Sequence, residues 1–213
     1  MLKTTVVRDG YKFIGTAMFV AILAYYFYGY SMAIIPSVFA GYFTYFFRNP
    51  KRKVPQGEDV IISPADGTVK NIKYVPYDGF IGGAGNKIVI FMSVFDVHIN
   101  RSPIDGRVKY EQYICGRFRP AYKNDVGFEN ERHMIGIEAE NLKIVVTQIA
   151  GILAKRIVSW VTIGDEVRKG DLFGMIKFGS CVEVTLPENV NICLKEGDKL
   201  KGGLSVIGKI KTY

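Results

Sequence analysis

The feature that most constrains this chain is an uncharged, apolar stretch that covers residues 13–47. As one straight helix it would be roughly 50 Å long, which exceeds a membrane hydrocarbon core of about 30 Å. Residues 28–31 place a glycine between two tyrosines, so the pattern predicts a break there and two apolar helices. These features predict a membrane hairpin, either spanning or deeply inserted. A buried hairpin of a soluble protein is the alternative.

Basic residues lie on both sides of this hairpin: Lys3, Arg8, Lys12, Arg48, Lys51, Arg52 and Lys53. Lys and Arg are enriched in the cytoplasmic flanks of membrane segments. We therefore expect both ends in the cytoplasm, with residues 1–53 as a membrane anchor. Residues 54–213 would form a second domain on the cytoplasmic side of the cell membrane.

The charge balance suits an anionic surface. The 213-residue chain carries 28 Lys and Arg against 20 Asp and Glu, a net charge of +8. The basic residues are scattered and no nucleic-acid motif is present, so we expect a membrane rather than a nucleic acid as partner. Three cysteines without paired spacing predict neither a disulfide framework nor a metal site.

After residue 55 the sequence changes to short segments of alternating apolar and polar residues, separated by turns such as PADG and IGDE. Nine such segments cover residues 59–64, 67–75, 86–93, 106–114, 133–140, 142–150, 156–161, 181–187 and 189–195. The pattern predicts a mainly β domain, either a sandwich or a barrel, after the helical hairpin.

One internal repeat refines this prediction. IGDEVRKGDLFGMI (residues 163–176) is echoed by KEGDKLKGGLSVIG (residues 195–208), and both resemble the half-motifs of biotinyl- or lipoyl-type hammerhead domains. Ser180 then falls about where that fold presents its prosthetic group, which predicts an exposed turn there. A carrier domain modified at Lys177 is an alternative, although MIKFGS lacks the usual flanking pattern.

The Gly179-Ser180 pair interrupts a strand-like segment and suggests chemistry. A serine hydroxyl can attack the preceding carbonyl, and glycine accommodates the bend at least cost. Elimination and hydrolysis would then leave a pyruvoyl group, which forms a Schiff base with an amine and withdraws electrons. The hydroxyl needs a base, and His98 and His133 are the two histidines of the chain. Asp66, in the turn SPADG, is the candidate carboxylate.

Five motifs occur in order along the chain: FFRNPKR (46–52), SPADG (63–67), FMSVFDVH (91–98) with Pro103 and Gly106, NER (130–132), and FGS (178–180) followed by Glu183. Together they resemble the phosphatidylserine decarboxylase family in its short, archaeal-type form.

The resemblance implies cleavage between Gly179 and Ser180, which would give fragments 1–179 and 180–213 that stay together. Asp66, His98 and Ser180 would form the self-processing triad, with His98 as base and Asp66 as its orienter. Ser180 would become a covalent pyruvoyl cofactor that decarboxylates phosphatidylserine, or the ether-linked archaetidylserine. The resemblance also suggests a homodimer of processed protomers.

Two departures from the family pattern bear on the site. Long bacterial forms carry a second histidine where this chain has Arg101, so His133 or a water would have to take its place. Cys181 stands where the family often has Ser or Thr. Its thiol is discounted as a competing nucleophile because the carbonyl before it belongs to Ser180.

A basic segment, CGRFRPAYKND, is a candidate for lipid phosphate binding through Arg117, Arg119 and Lys123, with His133 as a further substrate-binding candidate. A solvated basic loop is the alternative. Two other functions remain open: a membrane-anchored adaptor without enzymatic activity, and a pyruvoyl decarboxylase of a soluble amino acid.

Overall fold

The computed structural model describes residues 5–116, 130–151, 156–177 and 180–211. The chain divides into two compact units, Met1–Lys51 and Arg52–Tyr213. The first unit is helical and the second is built of β-strands, so the mainly β class with a helical N-terminus is confirmed.

The N-terminal unit is a pair of helices, α1 (Arg8–Tyr28) and α2 (Tyr30–Phe46). Gly29 separates them with φ 81°, within the segment where the break was predicted. Phe13 of α1 packs against Phe43 and Phe47, with ring centroids 5.6 and 5.3 Å apart. The Val7 N–H also donates to the Phe47 carbonyl over 3.0 Å, which joins the two ends of the hairpin.

The outer faces of this helix pair are apolar and exposed. Phe19, Ile22 and Phe27 of α1 and Ile35 and Val38 of α2 all keep more than half of their surface accessible. By length and composition, α1 is the one helix among the described residues that could cross a membrane. At 17 residues, α2 is shorter and contains Pro36. An apolar helix able to anchor the chain is therefore present.

The second unit contains fourteen strands: β1 (Val60–Ile62), β2 (Gly67–Asp78), β3 (Gly83–Met92), β4 (Ile99–Arg101), β5 (Gly106–Ile114), β6 (Arg132–Glu138), β7 (Lys143–Ala150), β8 (Arg156–Ser159), β9 (Glu166–Val167), β10 (Leu172–Lys177), β11 (Ser180–Pro187), β12 (Val190–Ile192), β13 (Lys199–Leu200) and β14 (Val206–Ile210). The nine segments predicted from alternation each overlap one of them. The strands β4, β9, β10, β13 and β14 are additions.

The strands form one curled eight-stranded antiparallel sheet and two three-stranded sheets. The large sheet has the order β13-β2-β3-β11-β7-β6-β5-β9, and the small sheets have the orders β1-β14-β12 and β4-β10-β8. Buried aliphatic side chains of β3, β6, β7 and β11 fill one core. The central position of β11 means that its first residue, Ser180, is held between two neighbouring strands.

The unit is built from two similar halves. SPADGTVK (63–70) leads into β2 and SPIDGRVK (102–109) leads into β5. The two turns exchange backbone hydrogen bonds, since the Ile62 N–H donates to Pro103 O and the Arg101 N–H donates to Pro64 O. In each turn the serine hydroxyl donates to the carbonyl two residues later, at 2.7 Å.

The hammerhead-like repeat completes each half. The first copy contributes β9, which pairs with β5, and the second contributes β13, which pairs with β2. Each half therefore joins one SPxDG turn to one copy of the repeat. This pairing sets the surroundings of Asp66, the aspartate of the first turn.

Candidate active site

Ser180 is the first residue of β11 and is fully buried. It pairs with Met92 on β3 and with Ala150 on β7, and its hydroxyl lies 3.3 Å from the Met92 sulfur. The expectation that Ser180 sits at an exposed turn is wrong, because the two flanking strands enclose it. Gly179 lies outside the described residues.

His98 is also fully buried and lies between β3 and β4. Its Nδ1 lies 3.0 Å from the Asp96 carbonyl oxygen. A carbonyl can only accept, so Nδ1 carries the hydrogen and the neutral ring has its lone pair on Nε2. This tautomer leaves Nε2 as the basic atom of His98.

The backbone places His98 next to the chain that leads to the Gly-Ser pair. Its carbonyl accepts the Ile176 N–H at 3.2 Å, and β10 ends one residue later at Lys177. On the other side, Ser180 pairs with Met92 at the end of β3, the strand that precedes the His98 loop. His98 and Ser180 therefore belong to the same end of the domain.

Asp66 is buried and holds a dense set of donors. The Nη2 atom of Arg52 lies 2.9 and 3.2 Å from its two carboxylate oxygens, and the Gly202 N–H donates over 2.7 Å. The Lys201 ammonium lies 3.7 Å away. Among the described residues these hydrogen bonds come from Arg52 and Gly202, so the pairing of Asp66 with His98 stays a prediction.

The second SPxDG turn explains part of what Asp66 does. Asp105 accepts the Lys169 N–H at 2.9 Å, and Lys169 occupies the same place in its repeat as Gly202 does in the other. Both aspartates therefore join a turn to a hammerhead-like repeat. Asp66 differs in its burial and in its ion pair with Arg52.

Arg101 stands where long forms carry a second histidine, and its side chain extends to the Gly170 carbonyl. Its Nη1 donates to the Gly170 carbonyl at 3.0 Å. Burial, together with the charge of Arg52, lowers the pKa of the Arg101 guanidinium, and the charges of Asp66 and Asp171 act in the opposite direction. Arg101 thus adds positive charge beside Asp66.

His133 is buried within a chain of polar side chains. Its Nε2 lies 2.9 Å from Glu111 Oε1, and its Nδ1 lies 3.2 Å from Gln148 Oε1. The Gln148 Nε2 in turn donates to Asn100 Oδ1 at 2.8 Å. Both ring nitrogens of His133 therefore have protein partners, which favours a positioning role. Its binding of substrate stays a prediction.

The NER motif supports the strand beside Ser180. The Asn130 side-chain amide donates to the Ala150 carbonyl at 2.7 Å, and the Ala150 N–H donates to the Glu131 carbonyl at 2.9 Å. Ala150 is the residue of β7 that pairs with Ser180. Desolvation, together with the nearby Glu131 carboxylate, raises the Tyr113 pKa to about 12.

Cys181, the next residue along β11, faces the opposite side of the sheet. Burial, with a contribution from Glu183, raises the pKa of its thiol. A thiol held in its neutral form is a weak nucleophile, which supports discounting Cys181 as a competitor of Ser180. Within the described ranges no three His, Cys, Asp or Glu side chains are placed to hold a metal ion.

Other predicted residues cannot be placed. Arg117, Arg119 and Lys123 lie outside the described residues, so the lipid-phosphate role of that basic segment stays a prediction.

Three residues of the site were missed by sequence reasoning. They are Arg52, which was grouped with the membrane flank, and Asn100 and Gln148. A glutamine inside the apolar strand KIVVTQIA was the signal for the last of them.

Comparison with known proteins places these features in a family context. The sequence profile of the family described as phosphatidylserine decarboxylase matches residues 39–208. A phosphatidylserine decarboxylase proenzyme of Carboxydothermus hydrogenoformans is 49% identical over 168 residues, which cover 78% of this chain and 79% of that protein. A protein of the same description from Symbiobacterium thermophilum is 38% identical over 211 residues, covering 99% of this chain and 98% of its own length.

Proposed function

This chain belongs to the phosphatidylserine decarboxylase family and is a decarboxylase, and from that premise we propose that it converts phosphatidylserine to its ethanolamine counterpart after cutting itself at Gly179-Ser180. The observation that carries the proposal is the fully buried Ser180 hydroxyl at the start of a central strand. It lies close along the chain to Ile176, whose N–H donates to the His98 carbonyl near the end of β10. The relatives are described as proenzymes, which also favours processing.

Self-cleavage uses atoms of the chain alone. The Ser180 hydroxyl attacks the Gly179 carbonyl carbon while His98 Nε2 takes its proton, so that an ester replaces the peptide bond and the freed amine receives a proton. Loss of the Ser180 α-proton expels Gly179 as a carboxylate and leaves dehydroalanine. Tautomerisation and addition of water release ammonia and leave a pyruvoyl group at position 180.

The surroundings of Ser180 fit such a group. Pyruvoyl is small and uncharged, and the side chains paired with position 180 are those of Met92 and Ala150. A pyruvoyl group held there would supply an electron sink for a substrate amine that loses carbon dioxide. Burial at this position limits the access of bulk water, and His98 Nε2 can return a proton to the product carbon.

The strand order supports two fragments that remain associated. Fragment 180–213 contains β11, which lies between β3 and β7, and also β13 and β14, which pair with β2 and β1. After cleavage these backbone ladders still connect it to fragment 1–179. The cut therefore changes the covalent chain without separating the pieces.

The membrane assignment follows from the N-terminal unit. We propose that the helix pair anchors the enzyme at the cell membrane with the β domain on the cytoplasmic side, because both flanks of the hairpin are basic. A lipid substrate requires an enzyme at the interface, and each Lys or Arg near an anionic surface contributes roughly 1 kcal/mol. A hairpin that spans the bilayer or is deeply inserted in it stays a prediction. An ether-linked substrate and a homodimer also stay predictions.

The test is the intact mass of the purified protein, without added amines or reducing agents. We expect two masses, for fragments 1–179 and 180–213, with the smaller lighter than the unmodified peptide because serine has become pyruvoyl. Ser180→Ala should give one full-length mass. His98→Gln should also stay uncut, since its side-chain amide cannot accept the hydroxyl proton. A wild-type chain that remains whole in lipid would instead support a non-enzymatic adaptor, and cleavage with turnover of soluble amino acids alone would support the other alternative.

A further inference from the structure

The side chain of Asn100 is fully buried, and only one of the two polar atoms of its amide has a hydrogen-bond partner in the described part of the chain. Its Oδ1 accepts a hydrogen bond from Gln148 Nε2 at 2.8 Å, whereas its Nδ2 has no hydrogen-bond partner in the described part of the chain. A buried donor without an acceptor costs about 1–3 kcal/mol. This cost is offset when a ligand supplies the acceptor.

The orientation of the Asn100 amide is set by its neighbours. Gln148 Oε1 faces His133 Nδ1, and His133 Nε2 faces Glu111, whose second oxygen accepts from Thr162 Oγ1 at 3.1 Å. Amide and carboxylate oxygens only accept, so both ring nitrogens of His133 donate in this arrangement, Nδ1 to Gln148 and Nε2 to Glu111. With its oxygen occupied by His133, Gln148 directs its nitrogen to Asn100. The Asn100 oxygen is thereby occupied, and its nitrogen is the atom that remains available.

The backbone makes room for this arrangement. Gly174 pairs with Asn100, and a Cβ at Gly174 would overlap the Val158 carbonyl oxygen and would also lie 3.0 Å from Gln148 Nε2. The glycine therefore lets β8 and the Gln148 side chain both approach β10 closely.

The strand register places this amide beside position 180. Ser180 pairs with Ala150, and Gln148 lies two residues from Ala150 on β7, so Ser180 and Gln148 share one face of the sheet. Asn100 contacts that face through Gln148. Asn100 is the middle residue of β4 and follows His98 by two residues, so its Nδ2 belongs to the interior region that holds His98 and Ser180.

We propose that Asn100 Nδ2 binds the α-carboxylate of the serine head group, an inference that rests on the proposed function. The carboxylate is attached to the same carbon as the amine that reacts at position 180, whereas the phosphate lies farther along the head group. A donor near position 180 therefore meets the carboxylate. A neutral amide orients it without the ion pair that would stabilise the ground state and oppose loss of carbon dioxide.

The first test compares steady-state kinetics of self-cleaved variants on phosphatidylserine in mixed micelles. Asn100→Ala removes the donor and should raise KM about tenfold to a hundredfold, the range for a hydrogen bond to a charged group. Asn100→Asp should raise KM further, because the new carboxylate would repel the carboxylate of the substrate. Asn191→Ala, the same truncation at an exposed strand position, should leave KM unchanged.

A binding measurement separates recognition from a structural role. Glycerophosphoglycerate has a hydroxyl in place of the amine, so it keeps the carboxylate but cannot react, and glycerophosphoglycerol lacks the carboxylate. The first compound should raise the Tm of the wild-type protein more than the second does. Asn100→Ala should abolish this difference. If the difference persists in Asn100→Ala, the carboxylate is read elsewhere and the proposal is overturned.

A second variant leaves Asn100 itself intact. Gln148→Glu replaces the donor that holds Asn100 Oδ1 with an acceptor, so the Asn100 amide should turn its nitrogen to Glu and its oxygen to the substrate. We expect the same rise in KM and the same loss of discrimination between the two compounds. If Gln148→Glu discriminates like the wild type, the polar chain does not control Asn100 and the proposal fails.

The failure modes are distinguishable by mass. If the wild type is uncut or inactive, the proposed function fails, independently of Asn100. If the wild type is cut but both Asn100→Ala and Gln148→Glu remain whole, the polar chain acts in processing rather than in substrate recognition, and the proposal is overturned.

Discussion

Asp66 and Asp105 are the same residue type in two similar SPxDG turns, yet their surroundings give them different roles. Both follow a Ser-Pro pair and both accept a backbone N–H from the same place in a repeat. Asp66 alone is buried against the guanidinium of Arg52. A carboxylate that is buried beside a paired cation is a candidate functional group, whereas an exposed one that closes a turn is structural.

At the residue scale, the three cysteines should differ in reactivity. Cys115 and Cys193 are exposed, whereas Cys181 is buried and the pKa of its thiol is raised. A raised pKa lowers the thiolate fraction at neutral pH, and the thiolate is the reacting form. In a colorimetric thiol titration of the native protein, we expect two thiols to react quickly and the third only after denaturation. Three equal rates would contradict this assignment.

At the scale of elements, the start of β2 is held against β3 by the absence of a side chain. Gly67 has φ 155°, and a Cβ there would overlap the Phe91 carbonyl oxygen. Phe91 pairs with Thr68 on one side and with Cys181 on the other. The close approach at Gly67 therefore brings the SPADG turn to the end of the sheet where β11 begins.

Replacing this glycine should weaken the packing of β2 against β3. We expect Gly67→Ala to destabilise the fold by at least about 2 kcal/mol, because backbone must move to admit the methyl group. For a chain of this length the loss corresponds to a Tm lower by about 4–8 °C. Thermal unfolding in detergent by circular dichroism measures it, in an uncut Ser180→Ala background so that cleavage does not contribute.

The control for that experiment is Gly79→Ala. No atom lies within 4 Å of a Cβ at Gly79, so the free energy of unfolding should change by less than about 0.5 kcal/mol. Equal Tm values for the two variants would show that the approach of β2 to β3 is not tight.

For the whole molecule, the unusual property is the combination of a helix pair with exposed apolar faces and a β domain with its own core. Phe19, Ile22 and Val38 are among the large apolar side chains exposed on the helices. Apolar patches of this kind mark membrane or protein contact sites. Because the family acts on phospholipids, we propose the membrane as the partner of these faces.

Attachment by these helices should resist salt. In flotation with anionic vesicles, we expect the protein to stay bound at about 1 M salt, where charge interactions are screened within about 3 Å. Insertion of apolar surface is not weakened by screening. Release at high salt would show instead that the basic flanks alone hold the protein at the surface.

Several features of this protein were readable from local sequence. The uncharged stretch with its central glycine predicted two helices, and period-2 alternation located nine strands, because both patterns reflect which side chains leave water. The ordered motifs identified the family and therefore Asp66, His98 and Ser180 as candidates. Short strands such as β9 and β13 were missed because two residues carry no periodicity.

The sequence alone thus determined the helical N-terminus and the β class of the rest of the chain, since each depends on neighbours along the chain. Only the tertiary structure decided that Ser180 is enclosed, that Arg52 pairs with Asp66, and that Gln148 directs the amide of Asn100. These contacts join residues far apart in sequence. They depend on the register and curl of the sheet, and no local pattern encodes which distant side chains that register brings together.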